Sequence, residues 1–129
     1  MDITVVGPPT LIPVETETLG VTVSHHFEDV LPDMDVIMML RIQMERHNQT
    51  SFPSLREYSN LFGITAKKLK NAKENVLILH PGPVNRGVEI SPDVIDSKYS
   101  LIMNQVNNGV ALRMALMYLL IGGHDENDH

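Results

Sequence analysis

The stretch Asn75-Val76-Leu77-Ile78-Leu79-His80-Pro81-Gly82-Pro83 decides the fold. Val76 to Leu79 is a continuous apolar run without polar alternation, which reads as a strand buried on both faces. The run stops at Pro81-Gly82-Pro83, where helix and ladder are both forbidden. Three more runs of this kind lie upstream. Ile3-Thr4-Val5-Val6 ends at Gly7-Pro8-Pro9, Val21-Thr22-Val23 follows Leu19-Gly20, and Val36 to Leu40 lies between Asp35 and Arg41. Helical patterns separate them. Residues 10–19 carry a short one with a stop at Leu19-Gly20. Phe27 to Leu31 ends before Pro32. Leu55 to Leu61 and Thr65 to Ala72 are split at Gly63, with Thr65 as an N-cap. Ser91-Pro92 starts another helix. A long terminal helix over residues 99–121 carries Leu101, Ile102, Val106, Leu112, Ala115, Leu116, Leu119 and Leu120 as a broad apolar face, and Gly122-Gly123 ends it. Strands alternating with helices predict an α/β fold in three layers. A mostly parallel sheet of four strands, or slightly more, has helices on both faces. The first strand has no preceding helix, as in a doubly wound domain entered partway.

Length and composition narrow the function. The chain has 129 residues and 14.4 kDa, enough for one domain. Hydrophobic residues make up 43% and charged residues 20%, which fits a packed globular core. There is no cysteine, which excludes disulfides, thiolate metal sites and cysteine nucleophiles. The net charge of −6 argues against a nucleic-acid partner. The apolar run Met114 to Ile121 is too short to span a bilayer. No basic, apolar leader opens the chain, so a soluble cytoplasmic protein is expected. The tail from residue 122 to 129 is expected to be polar and flexible.

In open α/β sheets, ligands sit beyond the carboxyl ends of the strands. The strand ending at Leu40 runs into Arg41-Ile42-Gln43. Arg41 and Gln43, two apart in an extended segment, project to the same side. A guanidinium fork beside an amide suits a small ligand with carboxylates, although a solvated loop accounts for the same residues. The strand ending at Leu79 runs into His80-Pro81-Gly82-Pro83. Two prolines remove two N–H donors, so the turn offers carbonyls to a ligand carrying NH₂ or NH₃⁺, or serves as a stiff connection. His80 is either a general acid–base or a structural cap. His25-His26 lacks a third ligand at convincing spacing, and no metal or cofactor is expected. Gln105, Asn107 and Asn108 on the apolar terminal helix are either exposed or satisfy buried backbone, with the proline-rich loop as one candidate. Lys67, Lys68, Lys70 and Lys73 read as a solvated basic face.

Three long segments carry a resemblance. Met39 to Arg46, His80 to Glu89 and Gln105 to Ala115, together with Val5 to Pro13, resemble aspartate carbamoyltransferase in order and spacing. The similarity runs from about residue 2 to residue 121. It implies the second, aspartate-binding domain of an enzyme that transfers the carbamoyl group of carbamoyl phosphate to L-aspartate in pyrimidine synthesis. The domain would comprise residues 1–121 and lack its first strand and helix. The resemblance implies that Arg41 and Gln43 hold the aspartate carboxylates. It also implies that the carbonyls of Pro81 and Gly82 face the amino group of the carbamoyl donor. His80, Arg86 and Glu89 would orient loops. The related ornithine carbamoyltransferases carry a cysteine in the corresponding turn, and a cationic ornithine side chain beside Arg41 would be repelled. The family's carbamoyl-phosphate loop has no match here. Nor do the serine and lysine that reach in from a neighbouring subunit. The chain alone is therefore expected to be inactive, needing the carbamoyl-phosphate domain or the other subunits of a trimer, and to expose an apolar face. The alternative is a non-catalytic small-ligand or regulatory module that kept the fold.

Overall fold

In a computed structural model, residues 1–43 and 54–121 are described. Four short strands form β1 (Thr4–Val6), β2 (Thr22–Ser24), β3 (Val36–Met38) and β4 (Leu77–Leu79). Both pairings are parallel. Thr4, Val5 and Val6 face Thr22, Val23 and Ser24, and Val36, Ile37 and Met38 face Leu77, Ile78 and Leu79. The α/β class with parallel strands is as expected. The expected four-stranded sheet is instead divided into two pairs, β1–β2 and β3–β4. Beyond β4 the chain returns at Ser100. The Ile78 N–H donates to Tyr99 O at 2.8 Å and the Leu101 N–H to Ile78 O at 2.9 Å. That contact uses the second edge of β4.

The helices are α1 (Phe27–Val30), α2 (Leu55–Phe62), α3 (Ala66–Leu69), α4 (Pro92–Ile95) and α5 (Ile102–Ile121). Residues 10–19 give only a 3-10 turn over Thr16–Leu19, ended by Gly20 in the left-handed region at φ 76°. The α-helical hydrogen bonding of α1 ends at Val30, before Pro32, as the proline requires. Thr65 caps α3, its Oγ1 accepting from the Lys68 N–H at 3.3 Å.

Lys68 corrects the reading of its cluster as a solvated face, because its side chain is buried. Its Nζ donates to the carbonyls of Asn60, Leu61 and Gly63 at 2.6, 3.1 and 3.0 Å. These lie at the C-terminal end of α2, where carbonyls have no partner within the helix. The ammonium supplies the missing donors and suits the negative end of the helix.

Phe27, Leu31, Ile37, Met39, Phe62, Ile64, Val76, Ile78, Ile90 and Val94 are among the buried core residues. Ile64 joins the core by pairing with the segment after the proline turn. The Ile64 N–H donates to Glu89 O and the Ser91 N–H to Ile64 O, both at 3.0 Å. Gly63 permits this approach. A Cβ at residue 63 would lie 2.5 Å from Ser59 O and 2.6 Å from Val88 O. Both are backbone atoms that no rotamer change can move. Gly63→Ala is expected to lower stability by about 2–3 kcal/mol, read as a lower urea midpoint at unchanged slope.

The terminal helix departs most from ordinary packing. On α5 only Ile102 is buried. Leu112, Leu116, Leu119 and Leu120 are between 48% and 82% exposed. The apolar helix is formed as the sequence predicts, and the other described residues leave those leucines exposed. No helix among the described residues is long and apolar enough to cross a membrane. The stop at Gly122-Gly123 and the tail over 122–129 lie outside the described residues, as do Met44, Glu45 and Arg46.

Candidate functional site

The ends of β3 and β4 lead into adjoining segments, because the two strands pair in parallel register. From β3 the chain continues through the Met39 N–H, which donates to Leu79 O at 2.9 Å, to Arg41-Ile42-Gln43. Arg41 is exposed, Ile42 buried and Gln43 half-buried. The alternation puts Ile42 inward as an anchor and leaves its two neighbours at the surface.

From β4 the chain enters the turn at His80, which is fully buried. The His80 N–H donates to Gln105 Oε1 at 2.8 Å, so an amide on α5 supports the strand end. The Gln105 expectation is met at the proline-rich loop itself. The Gly82 N–H donates to His80 Nδ1 at 2.9 Å. An imidazole nitrogen that accepts carries no proton, so the neutral ring has its proton on Nε2. Gly82 sits at φ 72°, in the left-handed region, and the Gly82–Pro83 peptide is cis. Pro81 is exposed and Gly82 half-buried, at the surface side of the turn.

His80 Nε2 lies 3.4 Å from Glu89 Oε1, and both side chains are fully buried. The contact is long, and among the described residues neither Nε2 nor Glu89 Oε2 has a hydrogen-bond partner. The interaction is electrostatic rather than a well-aligned hydrogen bond. Glu89 Oε1 also accepts from the Asn85 N–H at 2.6 Å. The Asn85 side chain then donates from Nδ2 to Ile42 O at 3.3 Å. Asn85 thus joins the turn after β4 to the arm after β3, between Arg41 and Gln43. The sequence reading missed Asn85. Its signal was a polar residue two positions past a rigid turn, which is weak without the fold. Arg86 turns outward instead, 3.7 Å from Asp96, with both side chains exposed. Exposed pairs of this kind contribute little.

Burial sets the local electrostatics. Desolvation holds the His80 pKa below its ordinary 6.5, and the opposing pull of Glu89 is weaker. Tyr58 is pushed up to about 12 by burial first and by the Glu89 charge second. The folded state resists protonation, so the unfolded chain binds more protons below pH 6.5. The stability held by neutral His80 is complete above the unfolded value and is lost as pH falls through the folded one. Stability is expected to decline by up to about 1.4 kcal/mol per pH unit in that window. His80→Gln should flatten that part of a urea-midpoint profile.

His25 Nδ1 donates to Gly7 O at 2.8 Å. What the two segments can do together is chemical recognition of a polar ligand. A guanidinium and an amide stand on the arm, and a donor-poor turn stands beside it.

The chain resembles known proteins along nearly its whole length. The family described as aspartate/ornithine carbamoyltransferase, Asp/Orn binding domain, matches residues 1–120. The chain is 63% identical over 114 residues to the aspartate carbamoyltransferase catalytic subunit of Syntrophobacter fumaroxidans, covering 88% of this chain and 37% of that protein. It is 58% identical over 117 residues to the same subunit of Desulfosudis oleivorans, covering 91% and 38%. It therefore spans less than two-fifths of these relatives. Among solved structures, aspartate transcarbamoylase from Trypanosoma cruzi in complex with carbamoyl phosphate and aspartate has a TM-score of 0.72 at 26% identity, covering 89% of this chain and 40% of that one. Ornithine carbamoyltransferase from Pyrococcus furiosus has a TM-score of 0.74 at 24% identity, covering 96% and 43%, and shares the fold.

Proposed function

This chain belongs to the aspartate/ornithine carbamoyltransferase family, as an Asp/Orn binding domain, and we propose that it forms the aspartate-binding part of an aspartate carbamoyltransferase. Residues 1–121 make up that domain, without its first strand and helix. The full enzyme joins L-aspartate to the carbamoyl group of carbamoyl phosphate, in the cytoplasm and in pyrimidine synthesis. The observation that carries the reading is the link from Asn85 to Ile42, which sets the Arg41–Gln43 arm beside the Pro81–Gly82 turn.

In the reaction the aspartate amine forms a bond to the carbamoyl carbon, and the bond from that carbon to the phosphate oxygen breaks. The amine loses a proton and phosphate departs with the electron pair. Arg41 offers a planar fork to a carboxylate of aspartate, and Gln43 an amide to the same ligand. The carbonyls of Pro81 and Gly82 accept from the carbamoyl NH₂ and hold its plane toward the amine. His80 and Glu89 orient the turn from beneath. These are positioning effects, and stabilisation of the leaving phosphate needs groups from elsewhere in the subunit or trimer. Between the two family acceptors, aspartate suits the arm, since the ornithine ammonium meets a like charge at Arg41.

The isolated chain is expected to show no carbamoyl transfer to aspartate or to ornithine. The full-length subunit that contains it should carbamoylate aspartate and leave ornithine untouched. Loss of transfer in the full-length subunit as well would favour the non-catalytic module, and a preference for ornithine would overturn the acceptor assignment.

A further inference from the structure

The second edge of β4 carries a short parallel ladder that stops early. The Ile78 N–H donates to Tyr99 O at 2.8 Å and the Leu101 N–H to Ile78 O at 2.9 Å. Alternate residues of such a strand turn both backbone groups to one neighbour, so the next rung would run from the His80 N–H to Leu101 O. That carbonyl is taken. It accepts from the Gln105 N–H at 2.9 Å, because the chain enters α5 at Ile102. The His80 N–H donates instead to Gln105 Oε1 at 2.8 Å. A side-chain amide thus stands in for the next ladder carbonyl. Its other end, Nε2, reaches Met38 Sδ at 3.5 Å, a weak contact that ties the amide to β3.

The turn from His80 to Pro83 thereby has no N–H left for a ligand. The His80 N–H is held by Gln105 and the Gly82 N–H by His80 Nδ1 at 2.9 Å, while Pro81 and Pro83 have none. Val106, next to Gln105, packs at the far side of the same turn, where a Cβ at residue 82 would lie 3.6 Å from Val106 Cγ2. The first turn of α5 therefore holds the turn after β4 at two points, one polar and one apolar.

We propose that Gln105 is a positioning residue for the carbamoyl group: by holding the His80 N–H, it sets the Pro81 and Gly82 carbonyls to select an NH₂ over a methyl. This rests on the role proposed above for those two carbonyls. Without the amide, the His80 N–H is a donor without an acceptor at the end of a buried strand. The strand end then shifts toward another acceptor, and the carbonyls that follow it move as well. Two fixed acceptors discriminate strongly, because a ligand without the matching donors leaves both unpaired.

The test is made in the full-length subunit that contains this region. Dissociation constants are measured by isothermal titration calorimetry for carbamoyl phosphate and for acetyl phosphate, which carries a methyl in place of the NH₂. The unaltered subunit is expected to prefer carbamoyl phosphate. Gln105→Met keeps the length of the side chain and loses the acceptor. It should lower kcat/KM for carbamoyl phosphate roughly 10- to 100-fold, and the preference over acetyl phosphate should shrink about tenfold. Gln105→Glu keeps an oxygen for the His80 N–H and should restore most of the preference. Gln105→Asn withdraws the oxygen by one methylene and stands in, with the same expected loss, where Gln105→Met does not fold. Loosened packing alone would weaken both compounds by the same factor. An equal loss for both compounds, or an unchanged preference, overturns the proposal and leaves the role of the turn standing. No preference in the unaltered subunit overturns the role of the turn carbonyls and this proposal with it.

Discussion

Arg41→Ala, made in the full-length subunit that contains this region, is expected to lower kcat/KM for L-aspartate roughly 100- to 1000-fold, about 3–4 kcal/mol of transition-state binding. The proposed role gives the reason. A guanidinium facing a carboxylate makes two parallel charge-assisted bonds, and removing it leaves the anion desolvated and unpaired. Arg41→Lys keeps the charge and loses the planar fork, so it should recover only part of the activity. Gln43→Ala removes a neutral partner and should cost less than either. Saturation with carbamoyl phosphate should be little changed in all three, because the arm serves the acceptor. Steady-state kinetics with each substrate varied in turn checks this. An Arg41→Ala subunit with unchanged kcat/KM for aspartate would remove Arg41 from the acceptor site.

The second large effect is on stability. Glu89 is fully buried, accepts the Asn85 N–H at 2.6 Å and lies 3.4 Å from His80 Nε2. Glu89→Ala leaves the Asn85 donor unpaired in a dry site and removes the negative partner of the imidazole. A loss of about 2–3 kcal/mol is expected, for an unsatisfied donor and the cavity left by a fully buried side chain. That is a large share of the roughly 5–15 kcal/mol that holds a domain of ordinary size. Glu89→Gln keeps an oxygen for the Asn85 N–H and removes only the charge, so its cost should be smaller. Urea unfolding followed by circular dichroism separates the two. Equal midpoints for Glu89→Ala and the unaltered chain would show that the pair does not hold the turn.

Much of this fold was legible in the sequence because its strands are short apolar runs that end on unmistakable stops. Val76 to Leu79 before Pro81-Gly82-Pro83 is the clearest case. Its ladder covers Leu77 to Leu79. Thr65 as a cap was legible for a similar reason, since a hydroxyl before Ala66-Lys67-Lys68-Leu69 has one good use. The division of the sheet was not legible. Periodicity marks which residues extend, but strand order depends on contacts distant in sequence. Lys68 was misread because a lysine among lysines looks solvated, and only the close return of the α2 end shows three carbonyls waiting for its ammonium. Gln105 was readable as a polar residue that needed a reason on an apolar helix. Asn85 was not, because its meaning lies in Ile42, 43 residues away. The roles given to Arg41, Gln43, Pro81 and Gly82 rest on the resemblance as well as on their chemistry. The fold adds that the two segments are neighbours.

Among the described residues, the α5 face is the largest stretch of exposed apolar side chains. Apolar surface of this kind is characteristic of an interface.

The most direct measurement is an amide chemical-shift titration of the isolated chain with L-aspartate, run beside the same titration with L-ornithine. L-aspartate is expected to shift the amides of Arg41, Ile42, Gln43 and Gly82 in a saturable way, with L-ornithine leaving them in place. Shifts confined to other regions, or an equal response to both amino acids, would contradict the assignment of these segments as the aspartate site.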